Sequence, residues 1–118
     1  MDRMKRRQEF LAAAKGLSVS MPGLVLQGLD RKDGLPARLG FTCSKKIGNA
    51  VARNRAKRRL REAARLAIGL VAQPGHDYVL IGRAATAGRK FEDLQQDLKT
   101  AIGRLHDRRQ GAAKAGQQ

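Results

Sequence analysis

The stretch from Arg38 to Leu66, RLGFTCSKKIGNAVARNRAKRRLREAARL, leaves a chain of this kind few folding options. Leu39, Phe41 and Cys43 alternate with smaller or polar residues, which predicts a strand over Arg38–Ser44. Lys45–Gly48 reads as a loop, and Asn49 as the N-cap of a helix. At about 100° per residue, Ala56, Leu60, Ala63, Ala64, Ala67 and Leu70 gather on one arc, while Arg55, Arg58, Arg61, Glu62 and Arg65 fall outside it. Gly69 loosens the helix and Gln73-Pro74-Gly75 stops it. Tyr78–Gly82 is then a short, near-continuous apolar strand, as expected in the middle of a covered sheet. The strand–helix–strand unit Arg38–Gly82 is expected to place its two strands parallel or nearly so, and the general rule makes such a crossover right-handed.

The flanking segments fit around that unit. Residues 5–14 carry helix formers, with Phe10, Leu11 and Ala14 able to share a face, and Lys15-Gly16 ends the run. Residues 17–29 read as extended, the better strand being Leu24–Leu29 after the Pro22-Gly23 break. Asp30–Pro36 is a polar turn with Asp33-Gly34 at its tip, which favours a hairpin onto the Arg38–Ser44 strand. A last helix is expected from about Phe91 to Leu105, burying Leu94, Leu98, Ala101 and Ile102. The order α-β-β-α-β-α predicts an α+β fold, a small mixed sheet with packed helices. One domain over 1–108 and a disordered tail over 109–118 are expected.

Charge narrows the function. From Lys45 onward the central stretch carries Lys45, Lys46, Arg53, Arg55, Lys57, Arg58, Arg59, Arg61 and Arg65 against Glu62 alone. The chain has 25 Lys and Arg against 10 Asp and Glu, a formal charge of +15. Such a wall of like charge calls for a polyanion, and the expected partner is a nucleic acid. Arginine outnumbers lysine, which suits bidentate recognition of phosphate. Asn54, between Arg53 and Arg55, can pair with a base edge, a ribose hydroxyl or a backbone group. Aromatic residues are few and Trp is absent, so phosphate contacts should outweigh base stacking.

Other classes lack support in the residues. His76 and His106 stand in different segments, and no nucleophile–base pairing, Walker-type loop or metal-ligand cluster is present. Asp93 and Asp97 are spaced to share a helix face, read as solvated rather than metal-binding, and Cys43 reads as a core residue. A lone cysteine fits a reducing compartment, no apolar run is long enough to span a membrane, and MDRMKRRQEF lacks the apolar core of a secretory signal. A cytoplasmic protein is expected. A leucine-zipper reading of the basic helix fails, because Gly69 and Pro74 cut it short of a heptad seam.

The run SKKIGNAVARNRAKRRLREAAR resembles the signature of the protein subunit of bacterial ribonuclease P: Ser-Lys-Lys, Gly-x-Ala-Val, then Arg-Asn-Arg with its basic cluster. Lys5–Phe10, Arg38–Phe41 and the stretch from Pro74 to Arg83 are similar to other parts of that family's pattern. The resemblance implies a partner for a large catalytic RNA that removes the 5′ leader of precursor tRNA, with the chemistry and most of the Mg²⁺ held by the RNA. It implies that Arg53, Asn54, Arg55, Lys57, Arg58, Arg59, Arg61 and Arg65 contact the catalytic RNA, with Ser44, Lys45 and Lys46 on phosphates beside them. It places Arg3, Phe10, Ala14 and Gln27 in a cleft for the leader; many relatives have aromatics where this chain has Ala14 and Gln27. It also implies a monomer in the holoenzyme and a left-handed crossover, against the general rule. The alternative reading is a structural RNA-binding protein of ribosomal or chaperone type.

Overall fold

The computed structural model describes residues 2–70 and 72–116, with side chains over 3–69 and 72–108. The elements are β1 (Asp2–Arg3), α1 (Arg7–Ala14), β2 (Leu17–Ser20), β3 (Leu24–Asp30), β4 (Arg38–Cys43), α2 (Ala50–Ala67), β5 (His76–Gly82) and α3 (Phe91–Gly116). Short 3-10 turns occupy Lys45–Ile47, Ile68–Leu70 and Ala84–Ala87. The strands form one mixed sheet in the order β1-β4-β5-β3-β2. As expected, β5 is central, and β4 and β5 run parallel with α2 between them in the chain.

The expected hairpin at Asp33-Gly34 does not form. β5 lies between β3 and β4, antiparallel to the first and parallel to the second. The competing force is Arg31, whose guanidinium donates to the carbonyls of His76, Leu35 and Pro36 and pairs with Asp33 and Asp77. These bonds hold the turn as a wide loop across the start of β5. Asp77, 1% exposed, also takes both Nε and Nη2 of Arg38 at 2.7 Å. The hairpin that does form joins β2 and β3, closed by a 2.8 Å bond from Met21 N to the Leu24 carbonyl.

The sheet has two differently covered faces. Val19, Leu24, Leu26, Tyr78 and Leu80 pack against Leu60, Ala63, Ala64 and Ala67 of α2 and Leu94, Leu98, Ala101, Ile102 and Leu105 of α3. The alanines let α2 lie close to the sheet, and each buried Leu contributes about 1.5–3 kcal/mol of transfer free energy. On the other face α1 covers a smaller cluster, Met4, Ala13 and Val79, with Phe10, Leu29 and Ile81 at its edge. The Phe10 ring sits over Gly40, where a Cβ would lie 2.6 Å from its Cε1 atom.

Asp97 departs from the solvated face expected of it. It is 5% exposed, accepts a 2.9 Å bond from Gly23 N and pairs with Arg89, and so fastens α3 to the β2–β3 turn. His76 and His106 also come together, their rings 4.9 Å apart, with Tyr78 Oη 2.8 Å from His106 Nε2. That cluster docks α3 on β5. α3 continues past Leu105 to Gly116, and the side chains of the expected tail at 109–118 lie outside the described residues.

Candidate nucleic-acid interface

α2 begins where the sequence places it. Asn49 is extended and its Oδ1 accepts from Ala52 N at 2.9 Å, satisfying one of the free amides of the first turn. The buried arc is Ala56, Leu60, Ala63, Ala64 and Ala67, which turns Arg53, Asn54, Arg55, Arg58, Arg61 and Arg65 to solvent. Val51, 77% exposed, joins Asn54, Arg55, Arg58 and Arg61 around a shallow depression on this face. Among the described residues no carboxylate pairs with Arg53, Arg55, Arg58 or Arg61, so their charge is uncompensated. Arg65 pairs with Glu62, whose carboxyl is held below its ordinary value by that hydrogen bond. Before the helix, Ser44 Oγ accepts from Lys46 N at 3.3 Å, and Lys45 and Lys46 stand exposed on the resulting turn.

Arg59 differs from its neighbours. It is half-buried and donates to the carbonyls of Thr86, at 3.0 Å, Ala87 and Arg89. Its guanidinium closes the end of the Ala84–Ala87 turn and is committed to the fold. Lys57 is half-buried as well.

The α1 side presents a second surface. The register Ser18–Gln27–Val79 and Ser20–Val25–Ile81–Thr42 puts these residues on the face that carries α1. Gln27 is half-buried there, Phe10 marks one end over Gly40, and Ala14 is exposed on α1. Where β4 and β5 finish, Ser20, Val25, Ser44, Lys46, Ile81 and Arg83 line an open depression. Arg3 does not join Phe10, Ala14 and Gln27. Its register partner is Leu39, so it faces the α2 side, and it lines a groove there with Leu39 and Phe41.

A family model for ribonuclease P matches residues 1–106. The chain belongs to the ribonuclease P protein family. A relative from Ruegeria pomeroyi named ribonuclease P protein component is 51% identical over 106 residues, covering 87% of this chain and 85% of its own. One of the same name from Gluconacetobacter diazotrophicus is 54% identical over 101 residues, covering 85% and 87%. The solved RNase P protein of Thermotoga maritima superposes with a TM-score of 0.71 at 27% identity, covering 89% of this chain and 98% of that one. Membership sets aside the ribosomal or chaperone alternative and accords with the α+β architecture.

Within that family frame, Arg83 is a surface residue the sequence reading did not name for the site. Its Nη1 donates to the Met21 carbonyl at 2.7 Å, which holds it beside the α1-side depression. The strand phase that puts Leu24 and Leu26 in the core already turned Val25 and Gln27 the other way, and Arg83 follows β5 directly. The acidic residues do not fit a magnesium cage. Among the described residues no group of three His, Cys, Asp or Glu side chains converges, and Asp77 and Asp97 are held by arginines. No helix is long and apolar enough to cross a membrane among the described residues.

Proposed function

We propose that this chain, as the protein subunit of ribonuclease P, binds the catalytic RNA with α2 and the 5′ leader of precursor tRNA with the α1-side face. The single observation that carries the reading is the uncompensated row Arg53, Arg55, Arg58 and Arg61 on a helix whose opposite arc is buried. Asn54 adds a hydrogen-bonding side chain that can both donate and accept. Ser44, Lys45 and Lys46 take phosphates between the two surfaces, while Phe10, Gln27 and Ala14 line the path of the leader. Hydrolysis of the tRNA 5′ phosphodiester is carried by the RNA, and the magnesium ions are held mainly by it. This chain supplies no catalytic group. It works as one copy per holoenzyme in the cytoplasm, screening the repulsion between two polyanions so that substrate binds at lower magnesium.

The test is cleavage of precursor tRNA by the catalytic RNA at low Mg²⁺, with the wild-type protein and with an Arg53→Gln/Arg55→Gln variant. Wild type should rescue cleavage. The variant should bind the catalytic RNA more weakly, with the salt dependence of log K shallower by about 1.5 for two lost phosphate contacts. Unchanged RNA affinity in the variant would sink the assignment of α2.

A further inference from the structure

On the α2 side a groove runs between the β1–β4 edge of the sheet and the C-terminal half of α2. Its floor is apolar, with Leu39, Phe41 and Ile68, and its rim is cationic, with Arg3, Arg61 and Arg65. The volume is about 360 Å³, at the small end of the roughly 300–1,000 Å³ of sites that hold a ring system. Phe41 is only partly buried, and the Arg61 guanidinium lies 5.9 Å from its ring centroid. Arg61 also lines the depression with Val51, Asn54, Arg55 and Arg58, so the groove continues the exposed arginine face of α2.

We propose that this groove receives one unstacked nucleobase of the catalytic RNA, which takes the place of the Arg61 guanidinium over Phe41, with the flanking phosphates on Arg3 and the displaced Arg61. The inference rests on the reading of α2 as the RNA-binding helix. Three arginines around an apolar floor match an RNA nucleotide, which is anionic at its phosphates and planar and apolar at its base face. The leader is the less suitable source. The face proposed for it lies across the sheet, since Leu39 and Phe41 alternate with Gly40, which carries Phe10 on the other side. An apolar floor ringed by cations gains little from simple phosphate binding, which needs no floor. Arg3 thereby has a role that its separation from Phe10 and Gln27 otherwise leaves unexplained.

Gly69 makes the test clean. It lines the groove, and a Cβ placed on it meets nothing within 4 Å, so a large side chain there can cover the floor without disturbing the core. Gly69→Trp should weaken binding of the full-length protein to the catalytic RNA by about tenfold, the value of one lost base stack. Its melting temperature and the slope of log K against log salt should stay those of wild type. Arg3→Gln should instead make that slope shallower by roughly 0.7–0.9, one phosphate contact. The preference for precursor over mature tRNA, which reads the leader, should not change in either variant. Wild-type RNA affinity for Gly69→Trp, in a preparation where Arg53→Gln/Arg55→Gln does bind more weakly, would overturn the groove and leave the α2 reading standing. If neither variant weakens binding, both readings fail. Loss of the precursor preference with catalytic-RNA affinity intact would reassign the groove to the leader and refute the proposal as stated.

Discussion

Arg59 and Arg58 are adjacent arginines in the same basic run, yet the structure gives them different work. Arg59→Ala removes a half-buried guanidinium bound to the carbonyls of Thr86, Ala87 and Arg89. A hydrogen bond from a charged donor is worth about 1.5–3 kcal/mol. The three bonds share one group, and carbonyls near the surface regain water when it leaves, so the values do not add. A net loss of about 2 kcal/mol is the reasonable figure. For a chain of 118 residues, about 4 °C per kcal/mol gives a melting temperature lower by about 8 °C. Arg58→Ala removes an exposed side chain with no acidic partner, so its melting temperature should hold while the salt slope of RNA binding falls by about 0.7–0.9. Thermal melts followed by circular dichroism, with RNA titrations at several salt concentrations, read both quantities. Arg59→Lys should recover part of the stability, because an ammonium keeps a donor but not the planar fork. The reasoning fails if Arg59→Ala melts like wild type and instead shows the shallower salt slope.

Two further outcomes follow from buried contacts. Asp97→Ala strips the acceptor from Gly23 N and from Arg89; it should cost about 3 kcal/mol in urea unfolding, the low end for a broken buried pair because Arg89 can reach water, and Asp97→Asn should cost less. Gly40→Ala would put a methyl group 2.6 Å from Phe10 Cε1, which should cost about 1–3 kcal/mol, lower the preference for precursor over mature tRNA and leave catalytic-RNA affinity unchanged, as measured with matched RNAs.

What the sequence disclosed and what it withheld divide along the range of the interactions. The start of α2 and its buried arc from Ala56 to Ala67 were legible because the cap and the apolar spacing are set within one or two turns. β5 was legible as a central strand because a strand covered on both faces shows an unbroken apolar run. The strand order was not. The local Asp33-Gly34 signal favoured a hairpin, and it lost to Arg31 reaching Asp77, a residue 46 positions away. Asp97 failed for the same reason, since the amide it caps belongs to Gly23, 74 positions distant. Spacing on a helix reports which residues share a face, not whether that face meets an orphan amide. The resemblance grouped Arg59 with the RNA contacts, and nothing local in the sequence separates an arginine that faces solvent from one that reaches a turn 27 to 30 residues on. The resemblance set Arg3 beside Phe10, whereas the β1–β4 register turns it to the α2 side, and a two-residue strand shows no alternation from which that could be read.

Under the proposed function, the sheet is what would let one small chain serve two RNA strands. β4 turns Leu39 and Phe41 toward α2 and Gly40 toward Phe10, so a single strand bears on both surfaces. The arginines on the solvent side of α2 stand more than one layer spacing of about 10 Å from the α1-side face, beyond the Debye length of about 8 Å at physiological salt. The +15 charge of the chain therefore acts on both faces at low salt and is largely local to each at higher salt. Once catalytic RNA neutralises α2, the pull that its arginines exert across the sheet on a second polyanion falls. On the proposed reading, holding the leader would then depend on cations that belong to its own face, Lys46 and Arg83 at the ends of β4 and β5. With Phe10 as the ring on that face and Ala14 and Gln27 beside it, stacking offers little to replace them. In this chain the α2 face, with Arg53, Arg55, Arg58 and Arg61 unpaired among the described residues against Lys46 and Arg83 on the leader face, should consequently show the steeper salt dependence of the two.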